Sequence, residues 1–145
     1  MALSPEKYAE AGTEHAHQVA LFMWAASKEV QELYPQLKKL YAIPNGGERN
    51  VIVANRLRAE GVKSGFPDIG LPVARHGFHG LFIELKRPKT ERELKGRLQK
   101  RVAGKVSEKQ SQWINDLREE GFAVAICIGF EEARKTLLQY MKEKW

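Results

Sequence analysis

The sequence predicts an α/β domain with a mixed β-sheet flanked by helices. Three observations predict it. Apolar residues recur at helical spacing after Thr13-Glu14, at Val19, Phe22, Met23 and Ala26. Two short apolar runs, Leu81 to Lys86 and Ala123 to Ile128, are bounded by glycine or proline and have the length of strands. Helical patterns lie between and after these runs, an alternation that argues for a sheet covered by helices.

At the start of the chain, Ser4-Pro5 opens a short helix, with Ser4 as N-cap and Pro5 in the first helical position. Thr13-Glu14 looks like a second start; the pattern allows one helix or two, and Gly12 suggests a break. Pro35 interrupts the region after Trp24, and Leu37 to Ile43 reads as a short strand or its approach. Pro44-Asn45-Gly46-Gly47 is a turn. Asn50 to Glu60 reads as a helix with Gly61 past its end. Gly65-Phe66-Pro67 forces a loop before Asp68, and Ile69 to Val73 is a strand that Pro72 shortens. His76 to Gly80 makes a hairpin into the strand Leu81 to Lys86, which Pro88 ends. Leu94, Leu98, Val102 and Val106 stand at four-residue steps and predict a basic amphipathic helix over 90–106, weakened by Gly96 and Gly104. Ser107 to Glu120 is a helix with Ser107 as N-cap, Gln110 as its capping-box partner, and Trp113 and Leu117 facing inward. Ala123 to Ile128 is a strand and Phe130 to Lys144 a final helix.

Composition sets the class. The chain has 145 residues, 43% hydrophobic and 29% charged, which favours one domain over residues 1–145. Its apolar runs fall short of the roughly 18 residues that span a bilayer. The N-terminus has neither a basic n-region nor an apolar h-region, so no secretory signal is expected. The single cysteine, Cys127, excludes an intrachain disulfide and reads as a buried small hydrophobe. A cytoplasmic protein without membrane association is expected.

The net charge is +6, and it is unevenly placed. From Lys86 to Lys109 ten Lys and Arg face three Glu, a net of +7, so the rest of the chain sums to −1. This points to a polyanionic partner. Arg87, Lys89, Arg92, Arg97, Lys100 and Arg101 are candidate contacts to a nucleic-acid backbone, and Asn45 and Arg49 beside Gly46-Gly47 can contact phosphate.

The chemistry centres on Pro67-Asp68 and Glu84-Leu85-Lys86. Glu84 and Lys86 are two apart on a strand and share a face. Asp68 opens the neighbouring strand, so its side chain can converge on theirs. A carboxylate within Leu81-Phe82-Ile83-Glu84-Leu85 needs a reason, because an unpaired buried charge is costly. Asp68 and Glu84, with a backbone carbonyl such as that of Leu85 and water, make a hard oxygen site for Mg²⁺ or Mn²⁺ rather than zinc. Glu14, on a helix packed across the sheet, can add a further carboxylate. A water polarised at such a site can attack a phosphodiester. Lys86 can help deprotonate that water or stabilise the developing charge; the sequence leaves both roles open.

These residues resemble the PD-(D/E)xK nuclease motif. The succession Glu14-His15-Ala16-His17-Gln18, Ile43 to Arg49, Gly61 to Asp68, Phe82 to Lys86 and Ser107-Glu108-Lys109-Gln110 resembles the VRR-NUC family, in its small stand-alone form typical of phages. The resemblance covers roughly residues 13 to 128. It implies a PD-(D/E)xK restriction-endonuclease-like core and a structure-selective DNA endonuclease dependent on Mg²⁺ or Mn²⁺. Asp68 and Glu84 would bind metal, Glu14 would complete the acidic set, Lys86 would be catalytic, and Gln110 would orient the site. It also implies a homodimer cutting branched DNA such as Holliday junctions, in a bacterial or phage-infected cell. The alternatives are a monomer acting on flap or linear DNA, and a non-catalytic nucleic-acid-binding module.

Overall fold

A computed structural model gives the fold. It describes residues 3–44, 50–94, 97–101, 104–142 and 145, with the backbone alone over 90–94 and 97–101. The chain runs α1 (Pro5–Ala9), α2 (Glu14–Ala25), α3 (Lys28–Leu33), a 3₁₀ turn (Pro35–Lys39), β1 (Tyr41–Ala42), α4 (Val51–Ala59), β2 (Ile69–Leu71), β3 (Leu81–Lys86), β4 (Thr90–Leu94), β5 (Arg97–Arg101), α5 (Glu108–Glu119), β6 (Ala123–Ile128) and α6 (Gly129–Met141).

Four strands form one sheet in the order β1-β2-β3-β6. β1, β2 and β3 pair antiparallel in turn, while β6 lies parallel to β3, with Glu84 opposite Ile126 and Lys86 opposite Ile128. The sheet is therefore mixed, as expected. The β2–β3 connection turns on His76 and Gly77, both at positive φ (54° and 82°), flanked by the bridged pair Arg75 and Phe78. A two-residue loop with both residues left-handed matches the twist of an antiparallel pair.

Alternation along β3 divides the interior. Leu81, Ile83 and Leu85 face one layer, packed with Ala20, Leu21 and Trp24 of α2 and with Phe130, Ala133, Leu137 and Tyr140 of α6. Phe82 faces the other, with Val124 of β6 and Ile114 and Leu117 of α5, supported by Phe66, Trp113 and Phe122. Trp113 meets Phe66 edge-on at 5.0 Å between ring centres. Trp24 is buried and Trp113 half-buried against this cluster; the buried apolar face of α2 is Ala16, Ala20, Leu21, Trp24 and Ala25, not the stripe of Val19, Phe22, Met23 and Ala26 that the spacing suggested. The open edge of β6 is tied off by side chains: Arg118 donates to the Val124 carbonyl (2.8 Å) and the Ile128 N–H donates to Glu132 (2.6 Å).

Several sequence expectations are corrected. Residues 90–94 and 97–101 pair as an antiparallel ribbon, β4 with β5, where a basic amphipathic helix was expected over 90–106. The alternating charges of Glu91, Arg92 and Glu93 favour a strand period of two, and the four-residue apolar spacing is incidental. β1 is only two residues long, because the 3₁₀ turn takes up Pro35–Lys39. β2 ends at Leu71, before Pro72. The turn expected at Asn45 to Gly47 falls outside the described residues. Among the described residues no helix is long and apolar enough to cross a membrane.

Candidate active site

β3 carries the site at its C-terminal end. Its residues 82, 84 and 86 point to the α5 side, so Glu84 and Lys86 lie past the apolar Phe82 cluster, against the first turn of α5. That turn begins at Ser107, whose hydroxyl accepts from the Gln110 N–H (3.2 Å), while Gln110 Oε1 accepts from the Ser107 N–H (2.8 Å). This capping box fixes the Gln110 side chain. Its oxygen also accepts from Lys86 Nζ (2.9 Å), and its Nε2 donates to Glu84 Oε1 (2.8 Å). Lys86 Nζ stands 3.4 Å from the same Glu84 oxygen. Gln110 thereby holds an ammonium and a carboxylate in place with one amide.

Asp68 enters from the other side. Pro67 is buried, and the chain enters β2 so that the Asp68 carboxylate meets β3 just past the last β2–β3 pair. Its Oδ2 accepts from the Leu85 N–H (2.8 Å). In a strand the N–H and C=O of one residue leave on the same side, so the Leu85 carbonyl also faces the Asp68 side of β3. Glu14, the first residue of α2, is half-buried at the same strand end.

The electrostatics are those of a site short of positive charge. Glu84 is 1% exposed, and no group donates a hydrogen bond to its buried Oε2. Burial, and then the charge of Asp68, push its pKa up to about 8, against the pull of Lys86. Burial also raises Asp68, while the Leu85 N–H, a hydrogen bond from the protonated Glu84 carboxyl and the charge of Lys86 pull it back. Glu14 is raised by burial and by Asp68, with Lys86 and Arg87 opposing. A buried carboxylate oxygen that accepts no hydrogen bond, beside a second carboxylate, is a place where a cation fits, and the all-oxygen donor set suits a hard divalent ion. Among the described residues no three carboxylates, imidazoles or thiols group closely enough to hold a metal by themselves. Mg²⁺ needs no such cage, since it is held by one or two carboxylates and keeps several waters.

Of the residues named from sequence, Asp68, Glu84, Leu85, Lys86 and Gln110 are joined at this point, and Glu14 stands near enough to feel the charges of Asp68 and Lys86 without grouping with the two carboxylates. Arg87 is half-buried and Lys89 exposed immediately beyond it. Arg92, Arg97, Lys100 and Arg101 lie on the β4–β5 ribbon, where only the backbone is described. Asn45 and Arg49 lie outside the described residues. Sequence reasoning missed two contributors. Gly104 packs directly on Lys86: a Cβ there would lie 3.2 Å from Lys86 Cδ, and the Gly104 N–H donates to the Arg87 carbonyl (3.1 Å). Its signal was a glycine within a basic run. His17 is a framework residue, whose Nδ1 accepts from the Phe130 N–H (2.8 Å) at the start of α6. Ile126 and Ile128, opposite Glu84 and Lys86 in register, are 43% and 41% exposed and form an open apolar flank to the site.

The family model of the VRR-NUC domain matches residues 12–131. The chain belongs to the VRR-NUC family. That family is one of nucleases. The fold is also similar to a solved structure described as a VRR_NUC domain protein, at 22% identity and a TM-score of 0.67, covering 91% of this chain and 90% of the other. No curated protein matches the sequence.

Proposed function

We propose that this VRR-NUC chain is a divalent-metal-dependent DNA endonuclease that hydrolyses phosphodiesters at branched DNA such as Holliday junctions. The observation that supports it best is the buried Glu84 Oε2, to which no group donates, beside Asp68, with Lys86 held at the same strand end. Asp68, Glu84 and the Leu85 carbonyl would hold Mg²⁺ or Mn²⁺, with Glu14 as the outer carboxylate. When bound, the cation lowers the pKa of a water and offsets charge building on the phosphate. The chain's own groups do the rest. Gln110 fixes the position of the Lys86 ammonium, which stabilises charge developing on a phosphate oxygen. Gln110 also holds Glu84 Oε1, leaving Oε2 for the cation.

We further propose that residues 1–145 act as one domain and that two copies form a homodimer in the cytoplasm. A two-fold pair would present two sites to two opposed strands. The test is cleavage of a labelled four-way junction beside matched linear duplex and flap DNA, with Mg²⁺, Mn²⁺ or EDTA, comparing wild type with Asp68→Ala. Metal-dependent paired nicks on the junction, lost in the variant, are expected. Cutting of flap or linear DNA instead would discard the junction selectivity. Binding without cutting under either metal would leave only a nucleic-acid-binding module.

A further inference from the structure

The ribbon β4–β5 leaves the body beside the site and sorts its charges by face. Its register pairs Thr90 with Arg101, Arg92 with Gln99 and Leu94 with Arg97 on one set of positions, and Glu91 with Lys100 and Glu93 with Leu98 on the other. Cross-strand partners share a face, and neighbours along a strand alternate. One face therefore carries Arg92, Arg97 and Arg101 with no acid, a charge of +3; the other carries Glu91, Glu93 and Lys100, a charge of −1. The two strands contact each other and no other helix or strand of the described residues to a comparable extent, so packing against the body does not explain the sorting. The base of the ribbon is closed by the Gly104 N–H on the Arg87 carbonyl, one residue past Lys86.

We propose that this ribbon is a one-sided arm that lies in the major groove of a duplex segment of the substrate, on the face carrying Arg92, Arg97, Gln99 and Arg101. The proposal rests on the nuclease reading and names how the substrate is held. Strands of five residues extend about 17 Å, roughly half a helical turn of DNA, and a pair of strands about 5 Å apart enters a groove about 12 Å wide. Arginine and glutamine are also the side chains that read guanine and adenine edges there. Because the ribbon begins within four residues of Lys86, a duplex gripped by it has its backbone delivered to the site. The face assignment takes Lys100 out of the contact set that the basic run alone suggested.

Binding separates this from a plain excess of charge. The full chain carrying Asp68→Ala is titrated in EDTA, so no cutting occurs, against labelled duplex and the matching single strand at several salt concentrations. Replacing Arg92, Arg97 and Arg101 together by Gln is expected to lower the salt slope for duplex by about 2 to 3, near 0.9 for each phosphate lost, and to weaken duplex binding 10-fold or more. Glu91→Gln with Glu93→Gln adds the equivalent of two positive charges on the far face and is expected to leave duplex affinity unchanged. Lys100→Gln is expected to cost less than any one of the arginine changes. Equal losses for Lys100→Gln and Arg92→Gln, tighter duplex binding by the Glu91 and Glu93 double variant, or an equal loss on single strand and duplex for the triple variant would each overturn the proposal. An unchanged melting temperature in the triple variant confirms that folding is intact. Absence of cleavage under any metal would remove the nuclease reading and leave these binding differences standing.

Discussion

Glu84→Gln is expected to stabilise the metal-free protein at alkaline pH while abolishing cleavage. In the folded chain the Glu84 carboxyl holds its proton up to about pH 8, against 4.5 ordinarily, because the group is buried beside Asp68. Between those values the native state binds more protons than the unfolded state. The stability it contributes is then complete below about pH 4.5 and is lost as pH rises through 8. The gap, at about 1.4 kcal/mol per pH unit, sets the loss at roughly 4 to 5 kcal/mol as a ceiling. An amide cannot ionise and escapes that loss. Its NH₂ replaces the carboxyl O–H that donates to Asp68, an imperfect exchange that costs about 1 to 3 kcal/mol at every pH. The variant should therefore be slightly less stable than wild type at pH 5 and roughly 2 to 3 kcal/mol more stable at pH 9, about 5 to 10 °C in melting temperature. Urea or thermal denaturation in EDTA across that pH range reads the crossing. Parallel curves for the two proteins would refute the reasoning, because they would mean that Glu84 ionises at no cost within the fold.

The same geometry carries further expectations. Mg²⁺ or Mn²⁺ should raise the melting temperature of wild type more at pH 8 than at pH 5.5, since ligand carboxylates must lose their protons; Asp68→Ala should abolish the difference. Gly104→Ala should lower kcat several-fold with DNA affinity nearly intact, because its Cβ would press on Lys86 Cδ; single-turnover cleavage and anisotropy measure the two. Gln110→Leu removes the bonds to Lys86, Glu84 and Ser107 together and should cost roughly 2 to 4 kcal/mol in denaturation and at least 10-fold in cleavage. His17→Leu should destabilise by about 1 to 3 kcal/mol by orphaning the buried Phe130 N–H, with the metal dependence of cleavage unchanged.

The legible parts of this fold are those that local chemistry fixes. β3 and β6 stand out because apolar runs end at Gly80, Pro88, Gly121 and Gly129, and both strands begin and end where the sequence places them. α5 is announced by its capping box, and α4 by Asn50, whose side chain accepts from the Val53 N–H. The pairing of Asp68 with the end of β3 comes from adjacent strands joined by a tight hairpin. Long-range partners were not legible: His17 and Phe130 are 113 residues apart, and nothing local marks either as the other's partner. Gly104 falls in the same class, because a close approach across the chain leaves only a glycine as its trace. The ribbon escapes a reading by apolar spacing because Leu94, Leu98, Val102 and Val106 imitate a helical stripe, while the pattern of period two lies in the charges.

β3 is a single thread through two chambers of different character. Its odd-numbered residues, Leu81, Ile83 and Leu85, furnish the oily layer under α2 and α6, and its even-numbered ones, Phe82, Glu84 and Lys86, lead into the polar end. The strand therefore obeys a parity rule. Inserting or deleting one residue within it would exchange the two sets, sending a carboxylate and an ammonium into the oily layer and bringing leucine to the polar end. A change of two residues preserves the assignment and only slides it. Length variation within this strand is thus restricted to even steps.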